Sequence, residues 1–243
     1  MAHPDDAEFT CTGTLALLAA KGWAVHTATM TAGDCGSAKQ PPEQISKVRR
    51  GEAADAAKLL GGSYHCLECD DIFIMYDRNT LVKAIRLIRH VKPQIVFAPS
   101  PCDYMVDHET TSRIVQTACF SAGMVNIETP GAPAFEPVPY LYYVDAFEGK
   151  DIFGKQILPD ILVDISPVMS VKEQMLCCHK SQRDWLLKHH GVDRYVEFMK
   201  DMSRTRGAQI GKGFAEGFRQ HLGNAFAKDN ILKRELGDLV HSK

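Results

Sequence analysis

Apolar and polar positions along the first half of the chain follow two periods in turn. Thr14 to Ala20 is a run of small apolar residues closed by Lys21 and Gly22, and glycine after a basic residue is a common helix end. Trp23 to Met30 alternates as a strand does, and TAGDCGS behind it reads as a turn. Ile45 to Leu60 has the helical period, with Ile45, Val48, Ala56 and Leu59 on one face and Gly61-Gly62 as its stop. YHCLE predicts a short strand. Asn79 is placed to cap a helix running to Val91, with Leu81, Val82, Ile85 and Ile88 inward and Pro93 beyond its end. Gln94 to Ala98 is a short apolar strand, and the next helix is expected from about Glu109 to Ala122.

Strand and helix therefore alternate over residues 13 to 122. That alternation implies right-handed βαβ units and a Rossmann-like α/β fold, with a mostly parallel sheet flanked by helices. The rest is less regular. TPGAPAFEPVP is a proline-rich connection, LYYVDA and ILVDI read as two strands, and Pro167 to His190 and Asp193 to about Thr205 as two helices. The 243 residues suit a single domain. Residues 1–125 would form its βαβ metal-binding part, and 126–243 would complete the site.

Composition narrows the partners. With 28 basic and 30 acidic residues the net charge is -2, which gives no basic excess for nucleic acid. No apolar run reaches the roughly 18 residues of a membrane helix. The opening lacks the basic-then-apolar pattern of a secretory signal. A cytoplasmic protein acting on a small molecule, with a homo-oligomer admitted, is the expectation. The eight cysteines form one CxxC, Cys66 to Cys69, with no second to complete a structural zinc site. Most are expected to be reduced, buried small hydrophobes.

The chemistry is concentrated in two loops. The chain opens AHPDDAEF, placing His3, Asp5 and Asp6 within four residues, and PSPCDYMVDHETT follows the strand QIVFA with Asp103, Asp107, His108 and Glu109. Ligands of open parallel sheets bind at the strands' carboxyl ends. If both loops lie there, His3, His108 and one of the two aspartates can meet. Two imidazoles and one carboxylate suit zinc and leave a position for water. The second aspartate is then free to act as general base. The residues alone leave open which aspartate does which. Glu8, Asp107 and Glu109 are candidates for orienting the ligands. His189-His190-Gly191 reads as a basic helix end closed by glycine.

HPDD, the later DH pair in DYMVDH, and the flanking RRGE, HKSQ and GFAEGF resemble the PIG-L/LmbE-like family of zinc-dependent N-acetylglucosaminyl deacetylases, over most of the chain. The resemblance implies zinc on His3, Asp6 and His108, with Asp5 as base, although the same ligands bind other divalent ions. It implies hydrolysis of an N-acetylated amino-sugar compound to acetate and a free amine. A related amidase acting on a larger acyl group, or a silent sugar- or metal-binding module, are the alternatives. It also places Arg49 near the substrate and Asp71 on a sugar hydroxyl, with Asp70 beside it making that assignment uncertain. Where many members carry a histidine that supports the oxyanion, three residues before the last ligand, this chain has Met105. His179, and failing it Tyr104, are the candidates to fill that role.

HPDD is expected to follow a buried strand, yet only Met1 and Ala2 precede His3. The sequence therefore predicts a truncated chain, lacking a short strand rich in Val, Ile and Leu that would end just before Ala2.

Overall fold

The computed structural model describes residues 1–37, 39–183 and 194–242. Two parallel strand pairs are bridged by helices in the N-terminal half. Strand β1 (His26–Thr31) pairs in parallel with β2 (Ser63–Cys69), and β3 (Ile95–Ala98) with β4 (Tyr140–Val144). The fold is α/β as the alternation implies. The two pairs belong to separate sheets, and the C-terminal half extends the β3-β4 pair with antiparallel strands: β5 (Ile161–Asp164), β6 (Ala215–Gln220) and β7 (Val240–Ser242), in the order β3-β4-β6-β5-β7. The sheet is thus parallel where crossover helices join its strands and antiparallel beyond. Strands β6 and β7 fall in segments whose short, charged sequences carry no strand period.

The helices are α1 (Asp6–Thr10), α2 (Thr12–Ala20), α3 (Pro42–Lys58), α4 (Arg78–Val91), α5 (Val106–Ser121), α6 (Met169–Leu176), α7 (Tyr195–Ala208) and α8 (Ile231–Leu236). Strand β4 is buried on both faces. Tyr142 and Val144 join a core with α2, α6, α7 and α8, while Leu141 and Tyr143 join one with α4 and α5. Three expectations are corrected. The cap of α4 is Asp77, whose carboxylate accepts from Thr80 N at 2.8 Å, rather than Asn79. On α3, Val48 and Leu59 are exposed, and the buried face is Ile45, Arg49, Ala53 and Ala56, turned to bring the arginine inward. All eight cysteines are free, but only Cys11 and Cys119 are buried: Cys66, Cys69, Cys177 and Cys178 are half-buried, and Cys35 and Cys102 are exposed. The helix expected over 167–190 is α6 in its first part. Its end and His189-His190-Gly191 lie outside the described residues.

One buried ion pair ties these pieces together. The Glu216 carboxylate, on β6, accepts from Gly13 N (2.8 Å), Thr14 N (2.7 Å) and Thr14 Oγ1 (2.6 Å). Those are free donors of the first turn of α2, where an anion also meets the helix dipole. Lys172 of α6, fully buried, reaches the same carboxylate at 2.6 Å and the Phe9 carbonyl at 3.0 Å. Glycine is required at position 13, because a Cβ there would lie 2.8 Å from Ile165. Glu216→Ala would strand the Lys172 ammonium and two helix donors in the core. We expect it to lower unfolding free energy by about 3–5 kcal/mol, read as a fall in the urea midpoint. A midpoint within error of the parent would show that the pair does not anchor the fold.

Candidate metal centre and cleft

The opening turn and the loops after β1, β2 and β3 converge at the carboxyl ends of the parallel strands. Asp6, first residue of α1, turns its carboxylate back on its own backbone: Oδ2 accepts from Ala2 N at 3.0 Å and His3 N at 2.9 Å. Its other oxygen lies 3.4 Å from His108 Nε2, and His3 Nδ1 is 3.6 Å from Oδ2. His3, Asp6 and His108 thereby present ligand atoms within 4.8 Å of one another.

Each imidazole is held from behind. His108 Nδ1 meets Asp103 Oδ1 at 2.8 Å, and the other Asp103 oxygen accepts from Phe147 N at 3.0 Å. His3 Nε2 meets Asp107 Oδ2 at 3.2 Å, which also takes the Ile72 N–H at 3.0 Å. Carboxylates that take the far N–H of an imidazole fix its tautomer and aim its lone pair. Of Glu8, Asp107 and Glu109, Asp107 contacts one of these imidazoles directly. Glu109 acts one step removed, accepting from Asp103 N at 3.1 Å. Glu8 faces His179 instead, at 3.5 Å.

Five aspartates, at positions 5, 6, 71, 103 and 107, are buried around two imidazoles. Burial would lower the His3 pKa, but Asp107, Asp6 and Asp71 pull it up to about 12. His108 is drawn up to about 10 by Asp6 and Asp103 against the same burial. Burial would raise Asp6, yet His108 and His3 hold it well below the carboxylate range. So many carboxylates in one apolar setting call for positive charge. The donors at hand, two imidazoles and a carboxylate, fit a divalent ion of zinc type.

Asp5 is turned away from that cluster. It sits at φ 89°, in the left-handed region, which sends adjacent aspartates in different directions. Its Oδ2 accepts from Tyr195 Oη at 2.5 Å, and the Arg49 guanidinium lies 3.8 Å from Oδ1. Burial raises its pKa against the pull of Arg49 and His179. Arg49 also donates to the Pro4 carbonyl at 3.2 Å and the Gly33 carbonyl at 3.3 Å. Gly33 has to be glycine: its φ is +72°, and a Cβ would sit 2.3 Å from the guanidinium.

A cleft of about 1570 Å³ opens over these groups, walled by Tyr104, Phe147, Tyr195 and Phe198 among others. His3, Asp5, Asp6, Arg49, Asp71, Tyr104 and His108 all border it. Asp71 is the buried one of its pair, and Asp70 is exposed. Its Oδ1 lies 3.2 Å from His3 Nε2, off the line of a hydrogen bond. His179 is not among the cleft-lining residues. It is buried behind Asp5, facing Glu8. Met105 borders the cleft and brings no side-chain donor, while Tyr104 stands over His108 with ring centroids 5.7 Å apart. Tyr195 escaped the sequence reading, since a tyrosine 190 residues from its partner carries no local signal. Asp103→Ala should weaken divalent-metal affinity about 10–100-fold by freeing the His108 ring, as measured by competition with a chromophoric chelator. Unchanged affinity would remove Asp103 from the metal centre.

Comparison with known proteins agrees with this geometry. A family model described as PIG-L, GlcNAc-PI de-N-acetylase, matches residues 1–119. A 4-oxalmesaconate hydratase of Pseudomonas putida is 29% identical over 189 residues, covering 74% of this chain and 71% of the relative. A diacetylchitobiose deacetylase of Thermococcus kodakarensis is 26% identical over 227 residues, 89% of this chain and 79% of the relative. The solved N,N'-diacetylchitobiose deacetylase of Pyrococcus horikoshii shares the fold, with a TM-score of 0.75 and 24% identity over 90% of this chain and 80% of that one. A PIG-L family match over residues 1–119, a deacetylase relative and the shared fold thus make this chain similar to the PIG-L/LmbE-like N-deacetylases, which are enzymes.

Proposed function

We propose that this protein hydrolyses the N-acetyl group of a GlcNAc-type amino-sugar compound, releasing acetate, with a divalent metal ion of which zinc is the first choice. The observation that carries this reading is Asp5: a carboxylate beside the ligand set, buried, and held by Tyr195 rather than spent on a ligand bond. A binding-only module has no use for such a group. His3, Asp6 and His108 would hold the ion. When bound, it supplies Lewis-acid activation of a water and of the acyl oxygen.

The chain's own groups do the rest. Asp5 accepts the proton of the attacking water and returns it to the departing amine. Its raised pKa suits both directions of transfer. Tyr195 and Arg49 fix the carboxylate, and His179, buried behind it, balances its charge. Tyr104, at the cleft edge over His108, takes the oxyanion role that Met105 cannot fill. The Phe147 and Phe198 rings give a sugar ring an apolar face to pack on.

A second reading rests on the hydratase relative. Addition of water to a conjugated acid needs the same base and the same activated water, but a carbon–carbon double bond in place of an amide. Acetate release from a panel of N-acetylated amino sugars by metal-loaded protein tests the first reading. Bleaching of an unsaturated dicarboxylate's ultraviolet absorbance tests the second. Acetate release without bleaching supports the deacetylase, and bleaching without acetate overturns it.

Two variants test the assigned roles. Asp5→Asn keeps the left-handed backbone accessible. It should retain one metal per chain while losing about 100-fold or more in kcat. His108→Ala should lose metal and turnover together. Full metal content in His108→Ala, or near-parent turnover in Asp5→Asn, would break the assignment. Tyr104→Phe should lower kcat about 100-fold with metal content unchanged, and a variant within a few-fold of the parent would clear Tyr104 of the oxyanion role.

A further inference from the structure

Three histidines that take no part in the metal centre meet at the other end of strand β1. The register of β1 and β2 places Ala28 opposite His65 and His26 opposite Ser63. Residues two apart in a strand share a face, so His26 and His65 are diagonal neighbours on one face. His90 joins them from the last turn of α4, which packs on β2. A crossover helix runs back against its strands, so the end of α4 returns to the level at which β1 begins. The metal centre lies past the opposite end, beyond Thr31. At about 3.3 Å per residue, the length of β1 puts roughly 16 Å between the two places.

The spacing of the rings is that of metal ligands. Two imidazoles on one tetrahedral zinc, with bonds of about 2.0–2.1 Å, hold their nitrogens roughly 3.4 Å and their ring centroids roughly 5 Å apart. His26 Nδ1 and His65 Nε2 are 3.0 Å apart, and their centroids 5.2 Å. The His90 centroid stands 6.3 Å from that of His65, with the rings at 75°. An inward swing of about 1 Å at the tip of the exposed His90 side chain brings a third nitrogen to the same point.

The surroundings suit a cation that binds nitrogen. Burial, His26 and His90 all lower the pKa of His65, which keeps its ring neutral, the form with a free lone pair. Arg89, next to His90, is turned away. Its guanidinium is engaged by the carbonyls of Ala122, Met124 and Ile127 and by Thr129 Oγ1. The last turn of a helix carries carbonyls without intrahelical partners, and their partial negative charge favours a cation there.

We propose that His26, His65 and His90 form a second metal site, separate from the catalytic centre, which takes a divalent transition ion of the zinc, nickel or copper(II) class. A donor set of three imidazoles rejects magnesium and calcium, which demand oxygen ligands. The hydrogen bond between His26 and His65 carries one proton. On metal binding the ring that holds it shifts to its other tautomer, so both nitrogens offer lone pairs and no proton is lost. Water fills the fourth position. Because the ligands come from two strands and a helix, the ion cross-links β1, β2 and α4.

The test uses the whole protein with its first equivalent of zinc already bound, and follows further zinc by competition with a chromophoric chelator. One more equivalent should bind in a saturable step that dialysis reverses, and the melting temperature should rise with it. Magnesium at the same concentration should give no such step. His26→Gln, His65→Gln and His90→Gln should each lose the step and keep the first equivalent. His108→Ala should do the reverse, which separates the two sites. A titration that stops at one equivalent would overturn the proposal. So would a second equivalent that survives His65→Gln, which would mark adventitious binding elsewhere, or one indifferent to His90→Gln, which would reduce the site to a pair.

Discussion

The carboxylate of Glu216 is the joint on which the catalytic end of the molecule is hung. It caps α2, neutralises the fully buried Lys172, and through that lysine holds the carbonyl of Phe9 at the end of α1. Helix α1 begins at Asp6, so the position of a proposed metal ligand depends on an ion pair at the other end of a five-residue helix. Breaking either partner leaves the other as a desolvated charge, which makes the joint stiff. A second clamp repeats the device at the surface of α3: Glu52 takes both the N–H and the hydroxyl of Ser181, at 2.8 and 2.6 Å. Segments that look like separate motifs in the sequence are the two halves of these clamps.

Adjacent aspartates take different roles because one dihedral angle separates their environments. Asp6 folds back on two backbone N–H groups and faces two imidazoles, so its charge is stabilised. Asp5, turned away by its left-handed backbone, meets a phenol and a more distant guanidinium, so burial governs it. The same chemical group is thereby tuned in opposite directions one residue apart.

The sequence exposes this site unevenly. His3, His108 and the pair Asp5-Asp6 stood out because ligand chemistry demands particular residue types and the strand–loop–helix pattern places both loops at one edge, while the choice of Asp6 over Asp5 came only from the family resemblance. The alternation over residues 13 to 122 carried the parallel half of the fold for the same reason: period is a local property. Tyr195 and the joint at Glu216 were not legible, since nothing local marks a tyrosine that serves Asp5 or a glutamate that caps a helix some 200 residues away. The buried face of α3 was misjudged at Val48 and Leu59 because hydrophobicity predicts burial only where the neighbours are known. Here the core wanted Arg49, and the helix turned to supply it. His179 drew notice as a polar residue in an apolar helix. The residue lies buried next to Asp5 and outside the cleft-lining set.

Among the described residues that have side chains yet sit at positive φ, Asp5 (89°), Ile72 (72°) and Glu148 (60°) all border the cleft. Ile72 is the most telling, since a β-branched residue is especially costly there. Its twist aims the N–H at Asp107, and Asp107 steadies His3. The molecule thus keeps conformational energy stored at the rim in exchange for aim at the centre. A lineage selected only for resistance to heat would release it first: glycine at position 72 would relax the backbone by about 1 kcal/mol while loosening the histidine two hydrogen bonds away. Robustness and precision draw on the same few dihedral angles, and in this chain the backbone has settled on precision.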